Sequence, residues 1–265
     1  MTYLARGGDV GTAAAALLAR TLAGMHRDQH SFLVSSGQSQ PVPFDRISFE
    51  RVQEVDWLEH QIDLQAQRWP SVDRRVLATL WWYSVSQVFL TPTLASLFVT
   101  GSALSPRPAD VELHCLPDGR IFTARSTAVL DGPDVVDSVA AALRDSVALV
   151  IPEVARAGAM RERPLWALAT DSLANRLLWL GRASGAVERA SALAMSLVQL
   201  IGSPMPAPRY VDIARPAPRA GTVRFVRRGS CCLVYLEPGE PKCVSCPRMS
   251  PESREALLRV AADFT

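Results

Sequence analysis

Several things are scarce in this chain of 265 residues, and each scarcity excludes something. A charge excess of either sign is missing: 28 Lys+Arg against 26 Asp+Glu leave a formal charge of +2. That balance excludes a nucleic-acid binder working through a broad basic surface. Lysine is almost absent, Lys242 being the single example, so the cationic side chains are nearly all arginines. No G-x-G-x-x-G follows a strand-like run and no P-loop occurs, which argues against Rossmann-type binding of NADH or flavin. A G-x-S-x-G nucleophile elbow is missing too. Charged residues are only 20% of the chain against 48% hydrophobic, so a disordered chain is excluded. The length suits one large domain or two modest ones.

Targeting signals are also weak. The apolar stretch near the N-terminus is short, Ala-rich and broken by Arg20, which reads as an amphipathic helix and not as a secretion signal. Residues 76–106 carry no charge and are long enough to span a bilayer. Tyr83, Ser84, Ser86, Gln87, Thr91, Thr93 and a central Pro92 dot that stretch, and a buried, Pro-kinked core helix is the reading adopted. A cytoplasmic protein is expected. No polybasic membrane anchor is visible, and peripheral association with the inner membrane stays open.

Periodicity predicts helices over 12–28, 49–69, from about 71 through the uncharged stretch, 133–160 with Pro152 bending or dividing it, 165–182 and 186–201. Val111, Leu113 and Cys115 alternate with Glu112 and His114, then Pro117-Asp118-Gly119 and a second extended run predict a β-hairpin. Residues 202–221 hold five prolines and read as a semi-rigid linker or surface excursion. A strand over Thr222–Arg228 and a last helix over about 251–264 follow, the latter with Ser250 as N-cap and Pro251 at its first position. The expected class is α+β: a predominantly helical body (1–203) with a small antiparallel sheet, a Pro-rich linker (204–221) and a C-terminal cysteine-bearing segment (222–265).

Cysteine is missing from the first 114 residues, yet Cys231, Cys232, Cys243 and Cys246 fall within sixteen, in the spacing C-C-x10-C-x2-C. Such a local cluster in a long chain reads as a metal or redox site in a reducing compartment. Four thiolates serve zinc ribbons and iron–sulfur clusters alike. The adjacent pair favours the larger, elongated two-iron target, because neighbouring side chains on extended backbone point apart. A zinc staple and disulfides are the alternatives. Arg224, Arg227 and Arg228 precede the cysteines and Arg248 follows them. Cations near an anionic cluster favour its reduced form or steer an anionic partner; a solvated basic strand face is the simpler reading.

The segment RRGSCCLVYLEPGEPKCVSCP resembles the C-terminal signature of the FhuF-like ferric iron (siderophore-iron) reductases. LWWYSVSQVFLTPTLASLFV and LWALATDSLANRLLWL, the latter with Trp166 and Asn175, are similar to further segments of that family. The resemblance implies a [2Fe-2S] cluster held by Cys231, Cys232, Cys243 and Cys246, and one-electron reduction of Fe(III) in a ferric siderophore, often a hydroxamate. The missing nucleotide-binding loop points to an external electron donor such as a ferredoxin or reductase, and Arg227, Arg228 and Arg248 are read as tuning or substrate-contact residues. The body is also similar to the C-terminal region of siderophore synthetases. A zinc-stapled siderophore-binding protein without redox chemistry is the alternative function.

Other candidates are weaker. His26 and His30 are spaced as a zinc-binding pair on one helix face, without a third ligand nearby. Glu59-His60 reads as solvent-facing. Cys115 reads as a small core hydrophobe, and Trp81, Trp82 and Tyr83 as core packing.

Overall fold

The computed structural model describes residues 7–33, 44–215 and 220–264. Helix α1 (Gly7–Ala23) is followed by strand β1 (Asp45–Ser48) and helix α2 (Val55–Leu64). Helix α3 (Arg74–Thr100) leads to strands β2 (Ala103–Leu104), β3 (Val111–Cys115), β4 (Ile121–Ser126) and β5 (Val129–Leu130). Three helices, α4 (Val135–Ala157), α5 (Arg163–Ala183) and α6 (Val187–Ile201), then precede strands β6 (Tyr210–Arg215) and β7 (Gly221–Val226), and helix α7 (Pro251–Ala262). The protein is α+β: 59% helix with small antiparallel sheets, and the four clustered cysteines lie near the C-terminus.

The uncharged stretch is the core helix that its composition implies. Asp73 caps α3 by accepting the Val76 N–H at 2.9 Å, and Gly101, with φ 77°, ends it. Trp81, Trp82, Phe89, Leu90 and Leu94 are fully buried along it. Helix α3 packs on α1, α2, α4 and α5, with strands β2 and β4 also against it. No helix among the described residues is long and apolar enough to cross a membrane. Neither interior proline divides its helix: α3 runs through Pro92 and α4 through Pro152. Each proline forfeits a backbone hydrogen bond, a loss of about 3 kcal/mol, which burial along the rest of these long helices offsets.

The hairpin forms as expected, with β3 antiparallel to β4 and Gly119 (φ 77°) in the turn. One face differs from expectation. His114 is buried with the apolar residues because the Phe44 ring stacks on it at 4.6 Å. Strand β1 adds to the outer edge of β3, pairing Asp45 with Cys115. Within the Pro-rich segment, β6 pairs antiparallel with β7, Tyr210 opposite Val226. Ile213 and Val223 of this ribbon pack on Leu258 and Ala262 of α7, while Val226 packs on Ala174 and Leu178 of α5. The ribbon thereby aims the chain leaving β7 at the junction of α3 and α5. Those two helices are tied by Trp82 Nε1 donating to the Leu165 carbonyl at 2.9 Å and by the Ser86–Ser172 hydroxyl pair at 2.8 Å.

Candidate metal centre

The residues after Val226 dock against α5 first. Asp171, in a buried turn of α5 between Thr170 and Ser172, accepts the Gly229 N–H at 2.8 and 3.0 Å and the Ser230 N–H at 3.1 Å. Its carboxylate also faces the buried Arg228, Oδ2 to Nε 3.7 Å. The guanidinium lies over the Tyr83 ring of α3 at 4.6 Å. A carboxylate, two backbone amides, a cation and an aromatic face thus fix the chain just ahead of Cys231.

Two backbone devices then bring the cysteines together. Leu233 takes a left-handed conformation (φ 67°) directly after the Cys-Cys pair and reverses the chain, its N–H pointing at Cys231 Sγ at 3.4 Å. A branched residue in that region costs about 1 kcal/mol. In the C-x2-C half, the Cys246 N–H bonds the Cys243 carbonyl at 2.9 Å, a tight turn that puts both sulfurs on one side. Cys232 packs among Val76 and Leu80 of α3.

The four sulfurs form a row with two ends. Cys231 and Cys246 are 3.7 Å apart. Cys232 adjoins Cys231 and Cys243, and it shares the Arg228 guanidinium with Cys243: Nη1 lies 3.7 Å from Cys232 Sγ and 3.3 Å from Cys243 Sγ. Two thiolates on one tetrahedral metal, with metal–sulfur distances of about 2.3 Å, sit about 3.7 Å apart. The Cys231–Cys246 spacing therefore suits a shared iron. Neighbour contacts run from Cys246 through Cys231 and Cys232 to Cys243, a four-thiolate donor set of the kind iron–sulfur clusters and zinc both use.

Electrostatics agrees with an anionic occupant. The Cys232 thiol is pulled far below the usual thiol range, by hydrogen bonds from Cys231 and Cys243 first and by Arg228 beside it. Cys231 and Cys243 are pushed up, by sharing Cys232 as a partner and by burial. Burial works against the Arg228 charge, but Tyr83 and the Cys232 and Cys243 sulfurs outweigh it and hold the guanidinium protonated. Burial pushes the Asp171 carboxyl up, opposed by its two backbone donors and by Arg228. Arg228 Nε and Nη2 are buried without a hydrogen-bond partner. Unsatisfied buried donors of a cation next to thiolates are what a sulfur-rich anion would satisfy. The residues present fit an iron–sulfur group.

The other sequence candidates distribute as follows. Arg227 is exposed and lines a separate cavity with Arg163 and Arg209. Arg224 is engaged by Asp212 and Glu188, both at 2.7 Å. Arg248 lines a cavity that reaches Cys231. Asn175 donates to the Asp171 carbonyl at 2.7 Å and Trp166 to Glu162 at 3.3 Å, so both serve α5 itself. His26 and His30 do not share an α-helical face: His26 caps a short 3₁₀ turn, Arg27–Phe32, that contains His30. His60 is exposed and Glu59 lies near Arg74 and Arg156, at 3.9 and 3.7 Å. Burial pushes the Cys115 thiol up to about 12, as befits a core residue. Asp171 was not legible as a site residue; its signal is a lone carboxylate on a buried stretch of α5, Leu165 to Ala174.

Residues 228–248 match the family model described as the FhuF 2Fe-2S C-terminal domain, a span that begins at Arg228 and ends at Arg248. No curated protein matches the chain. Over this segment the chain is similar to that family; the match supports an iron–sulfur cofactor, and the cysteines of the segment lie near one another.

Proposed function

We propose that this protein is a ferric-siderophore reductase of the cytoplasm, whose [2Fe-2S] cluster is held by Cys231, Cys232, Cys243 and Cys246. When bound, the cluster supplies one-electron transfer to chelated Fe(III), replenished by an external one-electron donor of the ferredoxin or reductase class. The observation that carries the reading is the FhuF 2Fe-2S match over the very residues whose sulfurs neighbour one another beside a buried cation. Fe(III) is a hard cation that suits hard oxygen chelators, and Fe(II) suits them less, so a single electron loosens the iron.

The chain's own residues have separable tasks. Asp171 holds the Gly229–Ser230 backbone and so sets where Cys231 begins. Arg228 places a positive charge at the Cys232/Cys243 end, which favours added negative charge there. Tyr83, Val76 and Leu80 exclude water from that end. Zinc as a mere staple is the competing reading, and the match to a 2Fe-2S domain over these residues weighs against it.

Anaerobic purification followed by iron, acid-labile sulfide and zinc analysis tests the cofactor. Two irons and two sulfides per chain, with an EPR signal on dithionite reduction, are expected for a two-iron cluster. Reduced protein mixed with ferric siderophore and an Fe(II) indicator should then develop colour. Colourless protein carrying one zinc after iron–sulfide reconstitution would overturn the proposal.

A further inference from the structure

An open cavity of about 840 Å³ borders the cysteine segment, within the range of about 300–1,000 Å³ that small-molecule sites occupy. Cys231 is the one cysteine in its lining, so the cavity meets the Cys231/Cys246 end of the sulfur row and not the end that Arg228 occupies. Three arginines from three separate stretches converge on it: Arg75 in the first turn of α3, Arg161 between α4 and α5, and Arg248 just before α7. No carboxylate lines it. The Arg161 and Arg248 side chains have no hydrogen-bond or ion-pair partner among the described residues, and Arg75 has only Asp73 at 3.7 Å.

A second observation points to the same place. Ala159 (φ 46°) and Leu233 (φ 67°) are the only non-glycine residues with positive φ among the described residues, and both line this cavity. Left-handed backbone at β-carbon-bearing residues concentrates where a binding surface has to be shaped. The other arginine-bearing cavity, with Arg163, Arg209 and Arg227, differs in kind: it contains the Asp171 carboxylate and no cysteine.

We propose that the Arg75–Arg161–Arg248 cavity binds the ferric chelate, and that it selects an anionic one, of the catecholate or carboxylate class, over a neutral trihydroxamate. The proposal rests on the reductase reading for the identity of the ligand's metal. Three hydroxamates each bring one negative charge and cancel that of Fe(III). Three catecholates bring twice as much and leave a trianion, and polycarboxylates leave an anion as well. Unpaired guanidinium groups, which offer two parallel donors to carboxylate-like oxygens, reward the anion and give the neutral complex nothing. In the redox step no bond to the protein would form: the bound cluster would supply the single electron that turns Fe(III) into Fe(II), and the ferredoxin-class donor would replace it.

The test uses cluster-loaded protein and redox-inert Ga(III) chelates, so that binding is read by calorimetry without electron transfer. Ga(III) tris-catecholate and Ga(III) citrate are the two anionic arms, and a Ga(III) trihydroxamate is the neutral arm. At least one anion should bind about tenfold more tightly than the neutral chelate, and more weakly as salt is raised. The Arg161→Gln/Arg248→Gln variant should lose about tenfold for that anion, keep its affinity for the neutral chelate and retain the EPR signal of the parent. Equal or tighter binding of the trihydroxamate, or unchanged anion affinity in the variant, overturns the proposal. So does slower reduction of the variant by an acidic ferredoxin with chelate binding intact, which would make the cavity the donor's dock. Protein that binds the anion yet holds no iron–sulfur cluster would sink the reductase and spare the cavity. Cluster-bearing protein that ignores both anions would do the reverse.

Discussion

Replacing Arg228 with Gln should lower the cluster potential, and the structure sets the size of the change. Arg228 and Asp171 side chains are 3% and 4% exposed, so water screens neither. The guanidinium touches the Cys232 and Cys243 sulfurs at 3.7 and 3.3 Å. With charge spread over sulfurs and irons, an effective separation of about 5 Å and a dielectric of about 20 give roughly 3 kcal/mol of stabilisation for one added electron. At about 1.4 kcal/mol per 59 mV, Arg228 then raises the potential by roughly 130 mV. Asp171 lies behind the guanidinium, at about 8 Å from the same charge, and opposes it by roughly 90 mV. Three variants are therefore ordered by sign. Arg228→Gln falls by roughly 130 mV, Asp171→Asn rises by roughly 90 mV, and the double variant falls by roughly 40 mV. Arg228→Lys keeps the charge and stays near the parent. Removing one member of a buried pair destabilises by about 3–5 kcal/mol, so Arg228→Lys and the double variant keep the test available if Arg228→Gln folds poorly. EPR-monitored potentiometric titration is the assay. An unchanged midpoint in a cluster-bearing Arg228→Gln protein, or a fall in Asp171→Asn, would refute the electrostatic reasoning.

Three further outcomes follow from the packing. Burial first, then Arg46, holds the His114 imidazole below its ordinary 6.5, so as pH falls the unfolded chain takes the proton before the folded one. His114 thus contributes stability above about pH 6.5 that is lost on acidification. Urea midpoints compared at about pH 8 and about pH 5.5 should fall less in His114→Phe than in the parent; an equal fall assigns the sensitivity elsewhere. A β-carbon at Gly181 would lie 2.6 Å from Ala190 Cβ, between α5 and α6. Gly181→Ala should cost about 1–3 kcal/mol despite its better helix propensity, with partial rescue by Ala190→Gly; a raised Tm would contradict the close approach. With its thiol pushed up to about 12, native Cys115 should resist alkylation, and Cys115→Ala should keep full iron and sulfide content. Loss of cluster in that variant would bring Cys115 into the site.

The iron–sulfur expectation was legible because the four cysteines are neighbours in sequence. C-C-x10-C-x2-C is a local pattern, and a reversal at Leu233 with a turn at Cys243–Cys246 draws its members together, although Asp171 and helix α3 set where the segment docks. Most helices were legible for a similar reason, since an apolar stripe or an uncharged run is a local property; the stretch 49–69, expected as one helix, is instead α2 (Val55–Leu64) between 3₁₀ turns at Phe49–Gln53 and Gln65–Gln67. Ser250 and Pro251 marked the start of α7 in the same way. Strands that depend on remote partners were not: β1 lies opposite β3, Asp45 against Cys115, and β6 is hidden in Pro-rich composition until β7 pairs with it.

The sequence by itself determined the cysteine spacing, the α+β class and the helical body, because each is written in side chains within a few turns of one another. Tertiary structure alone decided which cation lies against the cysteines and where a cavity opens beside them. Three neighbouring arginines look alike in sequence, yet packing pairs Arg224 with carboxylates, leaves Arg227 exposed and buries Arg228 against Cys232, Cys243, Tyr83 and Asp171. Asp171 stands 58 residues before Gly229, and Arg75, Arg161 and Arg248 come from three distant stretches. Burial and charge convergence are properties of the packed chain, and no local pattern records them.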